Sequence, residues 1–270
     1  MTEKLKVLDL FSGIGGIALG LDRTGGFETA AFCEIEPFPR AVLAKHWPEK
    51  ICYDDVRTLS ADRLAADGVA VDFICGGFPC QDISAAGRMA GMGEGTRSGL
   101  LHEIMRLVDE LRPKYILLEN VANLLVGPAE RPGEWFAVVL SGLAQRGYDA
   151  EWENIPASAL GFEHSRERVW IVAYPSSRGL SGILSKHSIA KAIGRLTRER
   201  GEDQLRPEIR TEAFGGLEGD RERPVQSRLG GRSDGLSARV VRGGMKGFGN
   251  SVIPDIAELI GYAILEAETS

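Results

Sequence analysis

Four stretches place reactive side chains beside strand-like runs. In DFICGGFPCQDIS, residues 72–84, an apolar run ends in a Pro-Cys-Gln corner, so Cys80 stands at the mouth of a strand. A thiolate there is a strong nucleophile once its pKa is lowered. In KYILLENVANLL, residues 114–125, a second apolar run ends in Glu119 and Asn120. In HSRERVWIVA, residues 164–173, Arg166 and Arg168 precede a third. The fourth stretch, LDLFSGIGGIALGL, reads as a strand, a glycine turn and a helix, and Gly13 to Ala18 fits G-x-G-x-x-A. Gly13, Gly15 and Gly16 let backbone approach a ligand closely. Glu34 lies 21 residues past Gly13, where an acid accepts hydrogen bonds from ribose hydroxyls. A nucleophile, a carboxyl, two cations and a cradle for a nucleoside-containing cofactor are the parts of a group-transfer site. NAD, FAD and S-adenosylmethionine all satisfy the glycine turn alone.

Such groups need a rigid edge to hold them. Short apolar runs at residues 6–11, 29–33, 72–75, 115–118 and 169–173 alternate with helical patterns. Leu100, Leu101, Ile104, Leu107, Val108 and Leu111 share one helical face, and Pro113 follows it; Phe136, Val139, Leu140 and Leu143 form another. Continuous apolar strands between amphipathic helices predict an α/β fold with a mainly parallel sheet covered on both faces. Open sheets of this kind place their chemistry at the carboxyl ends of the strands. A last apolar stripe, Ile256, Leu259, Ile260, Ala263 and Ile264, predicts a C-terminal helix that packs back on the first domain.

The chain has 270 residues, 43% hydrophobic and 26% charged, which is ordinary globular composition. No apolar run approaches the roughly 18 residues of a membrane span, and the first residues show no signal-peptide pattern, so a cytoplasmic protein is expected. Four cysteines without a C-x-x-C pair argue against zinc and against a disulfide scaffold, so no metal is expected. Cys33, Cys52 and Cys75 sit in apolar contexts and read as core; Cys80 does not. The formal net charge is −6, yet residues 175–250 hold 15 Lys and Arg against 9 Asp and Glu, a net of +6. The rest of the chain is therefore at −12. A basic segment on an acidic body suits a polyanion surface. Composition also shifts at Pro175, toward Gly, Arg, Ser and Glu.

Together these stretches resemble the bacterial and phage cytosine-5 DNA methyltransferases. The motifs stand in family order: Asp9-Leu-Phe-Ser-Gly-Ile-Gly-Gly16, Gly77-Phe-Pro-Cys-Gln81, Glu119-Asn-Val121, Arg166-Glu-Arg168 and Gly249-Asn-Ser-Val252. The resemblance covers residues 5–174 and about 235–268. It implies a Rossmann-like S-adenosylmethionine-dependent methyltransferase sheet with a small, irregular target-recognition region. The expected organisation is a catalytic and cofactor-binding domain over 1–174, a short target-recognition region over 175–240, and a return segment with the C-terminal helix over 241–270.

The resemblance also implies roles. S-adenosylmethionine is the cofactor: Phe11 stacks on its adenine, Gly13 and Gly15 make room for the amino-acid moiety, Glu34 holds the ribose and Ile35 packs on the base. Asp55, followed by Val56, bonds the adenine amino group, and Leu100, Asn250, Ser251 and Val252 complete the pocket. Cys80 attacks carbon 6 of cytosine, Glu119 contacts the ring nitrogen and amino group, Arg168 bonds the carbonyl oxygen and Arg166 supports the Cys80 region. The substrate is double-stranded DNA with the target base flipped out. Gln81, Ser84, Arg88 and Arg97 are expected DNA contacts, on a glycine-rich loop of residues 84–99. A restriction–modification or phage role, a monomer and a cognate restriction endonuclease as functional partner go with it. His164 stands where the family usually has Gln, and Ser251 where many members have Ala. The alternatives are a transfer-RNA cytosine-5 methyltransferase, a non-catalytic DNA-binding relative and a cysteine hydrolase. The first lacks its usual Cys-Phe-Thr run here, the second predicts loss of Cys80 or Glu119, and the third leaves the glycine turn unexplained.

Overall fold

The structure, a computed structural model, describes residues 3–78, 99–157, 167–185, 187–189, 192 and 252–269. The expected sites at Cys80, Gln81, Ser84, Arg88, Arg97, Arg166, Asn250 and Ser251 lie outside the described residues.

The elements run β1 (Leu5–Leu10), α1 (Gly16–Arg23), β2 (Phe27–Cys33), α2 (Pro37–His46), β3 (Ile51–Tyr53), α3 (Ala61–Ala66), β4 (Phe73–Gly77) and α4 (Gly99–Leu111). They continue as β5 (Tyr115–Val121), α5 (Asn123–Val126), α6 (Glu134–Ala144), β6 (Tyr148–Pro156), β7 (Glu167–Pro175) and α7 (Pro254–Thr269). One sheet takes the order β3-β2-β1-β4-β5-β7-β6. The first five strands are mutually parallel, and β7 is antiparallel to both β5 and β6. The α/β class expected from the sequence is the one observed.

Alternation along each strand divides the core in two. Val7, Phe73, Cys75, Tyr115, Leu117, Trp170 and Val172 face α1 and α7. Leu8, Leu10, Ile74, Ile116, Leu118, Val169 and Ile171 face α4 and α6. Both faces of the central strands are dry, which is why these strands read as unbroken apolar runs. The outermost strands differ. β3 has three residues, and β6, with Asp149, Glu151, Glu153 and Asn154, carries the polar residues of a sheet edge. Neither gives an apolar run, and both were absent from the strands expected on sequence.

The body extends past Pro175. Ile183, Leu184, Ile189 and Ala192 are buried in the first core. Glu151 fixes their approach, accepting from the backbone N–H of Ile183 at 3.1 Å and of Leu184 at 3.0 Å. The described residues after the expected boundary at 174 thus pack with the sheet.

Helix α7 is buried around its middle, from Ile256 to Ile264. It comes close to α1 because small residues meet there: Gly261 faces Thr24, and Gly20 faces the carbonyl of Pro254. A methyl on Gly20 would overlap that carbonyl and stand 2.8 Å from Ala257 Cβ. Glycine to alanine within an exposed helix ordinarily stabilises, by about 0.5–1 kcal/mol. Here overpacking sets the opposite sign. Gly20→Ala is expected to destabilise by about 1–3 kcal/mol, a fall of roughly 2–10 °C in Tm. Thermal unfolding checks it, and a raised Tm would refute the α1–α7 contact.

Candidate active site

The carboxyl ends of β1, β2 and β4 lie level in the sheet, Leu10 pairing with both Cys33 and Gly76. Gly77, last in β4, pairs with Glu119 of β5. Because β7 runs the other way, its first residues reach the same edge, and Arg168 pairs with Val121. The glycine turn, the carboxyl and one of the two arginines are therefore brought together by register alone.

The glycine turn is built from side chain and backbone. Ser12 Oγ donates to Asp9 O at 2.6 Å, and Ser12 N donates to Cys33 O at 3.2 Å, tying β1 to β2. Phe11 takes a φ of 53°, a left-handed value rare outside glycine, and Gly13 follows at 54°. Non-glycine residues hold such conformations where surrounding structure enforces them, often at ligand sites. Glu34 clamps the turn from β2: its Oε2 accepts from Gly13 N at 2.7 Å and its Oε1 from Glu36 N at 2.8 Å. The sequence marked Glu34 as a ligand group, whereas the structure also makes it a brace for the loop.

Glu119 is nearly buried, and its Oε1 lies 2.7 Å from Arg168 Nε. Glu119 Oε2 occupies the space over Gly77, where a Cβ would stand 2.8 Å away. Gly76 is equally constrained, since a Cβ there would run into the carbonyl of Leu10. The glycine pair before Phe-Pro-Cys thus has a steric cause that sequence reasoning missed, although the doublet was its visible signal.

A narrow cleft opens beside these groups, lined by Asp9, Phe11, Ser12, Gly13, Gly77 and Glu119 and closed in part by Val252. Asp9 was not expected here. It is 1% exposed, and its nearest donors among the described residues, the Cys75 thiol and the backbone N–H of Ala18, make no short hydrogen bond to it. Burial pushes its pKa up from 3.8 to about 7, and the carboxylates of Glu34 and Asp22 add repulsion. A larger cavity of about 540 Å³ lies between α1 and α2. It is walled by Leu19, Phe38, Val42 and Trp47, shares Ile14 with the cleft, and holds neither Glu119 nor Arg168.

The remaining expected cofactor residues stand around the cleft rather than in it. Gly15 packs on Trp47, with room for a Cβ only 2.8 Å from the ring. Ile35 is 60% exposed just past β2, an unusual place for a large apolar side chain. Asp55 caps the short turn Val56–Thr58 and pairs with Arg57 at 2.6 Å, which holds its carboxyl below the usual range. Val56 is buried, leaving its backbone as the group it can offer. Leu100, in the first turn of α4, packs against the second core.

The other thiols do not compete with Cys80. Burial pushes Cys33 up to about 12, raises Cys75 well above its ordinary value, and raises the half-buried Cys52 as well. Such thiols are inert near neutral pH. Among the described residues no group of His, Cys, Asp and Glu is arranged to hold a metal ion, and no helix is long and apolar enough to cross a membrane.

This arrangement has counterparts. A family model described as C-5 cytosine-specific DNA methylase matches residues 5–211. The chain is 36% identical over 201 residues to the Type II methyltransferase M.Sau3AI of Staphylococcus aureus, covering 71% of this chain and 48% of that protein. It is 36% identical over 173 residues to the Type II methyltransferase M2.BsuMI of Bacillus subtilis, covering 63% and 42%. It thus spans about half the length of the curated relatives it matches. Among solved structures, a candidate DNA modification methyltransferase encoded within an E. coli prophage superposes with a TM-score of 0.54 at 28% identity, over 66% of this chain and 49% of that one. A Spodoptera frugiperda DNMT2 mutant superposes at 0.52 and 22% identity, over 64% and 50%, a likeness of fold. Since the family model spans well over half of the chain, from the first strand beyond the last, the chain belongs to the C-5 cytosine-specific DNA methylase family.

Proposed function

We propose that the chain is a DNA (cytosine-5) methyltransferase that uses S-adenosylmethionine and acts on a cytosine flipped out of duplex DNA. The observation that carries this reading is the Glu119–Arg168 pair, held over Gly77 three residues before Cys80. A carboxyl that can carry a proton and a guanidinium side by side match the amino and ring-nitrogen edge of cytosine and its carbonyl oxygen. The relatives' description as Type II methyltransferases supports a restriction–modification setting, with a cognate endonuclease as functional partner.

The cleft fits the cofactor by its chemistry. S-adenosylmethionine carries a sulfonium and an ammonium, and Asp9 offers a buried carboxylate that the neighbouring Cys75 thiol and Ala18 N–H do not hold by any short hydrogen bond. The glycine turn leaves room for the methionine portion, and the exposed Ile35 offers a flat apolar contact to adenine. Glu34 keeps capacity for ribose hydroxyls, since two carboxylate oxygens accept about four hydrogen bonds and two are used by backbone. When bound, the cofactor supplies an activated methyl group.

The chain's own residues prepare the base. Cys80 sulfur bonds to carbon 6, and the electron pair of the 5,6 double bond moves into the ring. Glu119, carrying a proton, donates it to the ring nitrogen while its other oxygen accepts from the amino group, and Arg168 donates to the carbonyl oxygen, so the negative charge that develops on the ring meets donors. Carbon 5 then has enamine character and is nucleophilic. Loss of the carbon 5 proton to a base expels Cys80 and restores the aromatic ring.

Two outcomes check this reading. Plasmid DNA from a methylation-free host expressing the chain is expected to carry 5-methylcytosine at one short motif, by base-resolution sequencing. Cys80→Ala is expected to abolish the mark while the purified variant still binds duplex DNA; near-normal methylation by that variant would sink the mechanism. The second concerns pH. Below about 7 Asp9 is protonated in the free protein, and a bound cation favours its carboxylate. Cofactor binding then releases a proton, so affinity falls toward acid by up to about tenfold per pH unit below 7 and levels off above it. Titration calorimetry across pH 5–8.5 checks the slope, which Asp9→Asn is expected to flatten.

A further inference from the structure

The turn after β3 is held by a side chain of α4. Tyr53, last in β3, pairs with Cys33, and its carbonyl accepts from Glu34 N at 2.9 Å, so the turn leaves the sheet at the same edge as the glycine loop. Val56 and Leu59, within the turn, are buried. Arg106 of α4 spreads its guanidinium over their carbonyls and two acids. Nη2 donates to the carbonyls of Val56 at 3.1 Å and Leu59 at 2.8 Å, Nε to Glu103 at 2.8 Å and Nη1 to Glu110 at 2.6 Å. Both acids belong to Arg106's own helix, so they set the direction of the guanidinium independently of the turn. Glu110 also accepts from Ala61 N at 2.9 Å, at the start of α3.

One amide of the turn is gripped at both polar ends. The Val56 carbonyl and the Arg57 N–H belong to the same peptide unit. The carbonyl takes Arg106, and the N–H donates to Asp55 Oδ1 at 3.0 Å. Such a unit is planar, so fixing its carbonyl fixes the line of its N–H. A cation on the carbonyl also polarises the amide and strengthens the N–H as a donor. The position of the Asp55 carboxylate is therefore set from α4. The Arg57 guanidinium holds the same carboxylate from the solvent side, with its side chain 63% exposed. A pair so exposed gives way to a ligand donor at little cost. We infer that Arg106 is a positioning residue for the adenine of the cofactor, acting on Asp55 through the Val56–Arg57 amide; this rests on the proposed cofactor, with its adenine amino group at Asp55. On that reading α4 supplies Leu100 from its first turn and, through Arg106, the alignment of the carboxylate that reads the amino group.

The test is a comparison of two ligands. One is S-adenosylhomocysteine, the cofactor without its methyl group; the other is its analogue with hydrogen in place of the adenine amino group. The ratio of their Kd values, by titration calorimetry, reads the amino group alone. For the wild type the weaker binding of the analogue is expected to be about 10- to 100-fold. Arg106→Met keeps the apolar stem and the helix propensity but removes every donor. In this variant the ratio is expected to fall to about threefold or less, with Kd for duplex DNA within about twofold of wild type. A merely structural role would lower Tm and the binding-competent fraction for both ligands alike and leave the ratio as it was; an unchanged ratio overturns the inference. Should Arg106→Met not fold, Arg106→Lys keeps the charge, but one ammonium does not reproduce the planar fork that spans both carbonyls and both acids. A ratio lowered by about threefold or more in that variant supports the inference, and a smaller change overturns it. A wild type that binds both ligands equally overturns the inference and leaves the proposed function standing. A wild type that binds neither overturns the proposed cofactor, and the inference with it.

Discussion

The ends of β1, β4 and β5 lie closer together than ordinary side chains permit, and glycine occupies the points of contact. Gly76 lies against the carbonyl of Leu10, Gly77 under the carboxylate of Glu119, and Gly16 against the carbonyl of Val252, 2.7 Å from where a Cβ would stand. Each contact brings a chemical group of one strand over the backbone of another. Without the first, β4 could not pair with β1 at the level where the turn begins. Without the second, Glu119 would have to point elsewhere and its pairing with Arg168 would be lost. The last ties the C-terminal segment to α1, placing Val252 at the cleft.

Reversal of one strand is the second constraint. A seventh parallel strand would deliver its first residues to the opposite edge, some 20 Å or more away at about 3.3 Å per residue. Antiparallel β7 instead starts at that edge, and its first pairing with β5, Arg168 with Val121, already lies at the carboxyl end of that strand. The resulting ion pair is mostly shielded, with side chains 22% and 10% exposed. Pairs of this kind add little net stability, because desolvation offsets attraction, yet losing one partner leaves the other charge stranded. The pair therefore adds little to the fold, which agrees with the ligand role proposed for it.

The central strands were legible in the sequence because both faces are buried, and the amphipathic helices because one face is. β3 and β6 were not, being respectively too short and too polar to show a pattern. Of the candidate site, Glu119 and Arg168 were legible as residue types at strand ends, since they stand next to apolar runs. What the one-dimensional pattern could not show was pairing. Arg168 read as one of two cations beside a strand, and in the fold it faces Glu119. Asp55 read as a group for the adenine amino, and in the fold it also pairs with Arg57. Asp9 stood in the glycine-turn motif without a role, because its burial beside Glu34 and Asp22 shows only once its neighbours are known.

The placement of the described cysteines shows how a sheet keeps its own thiols out of chemistry near neutral pH. Cys75 and Cys33 lie within strands, and burial alone takes their thiols out of reach of neutral pH. Asp9, on the same face as Cys75, pushes its thiol further in that direction. Cys80 lies three residues beyond the last residue of β4 in sequence. A thiol inside the strand would be placed with certainty but could not ionise; a thiol on an unconstrained loop could ionise but would not be placed. On the proposed chemistry, a cysteine set just past a strand end in sequence, after a proline whose ring locks its own φ, answers both demands at once.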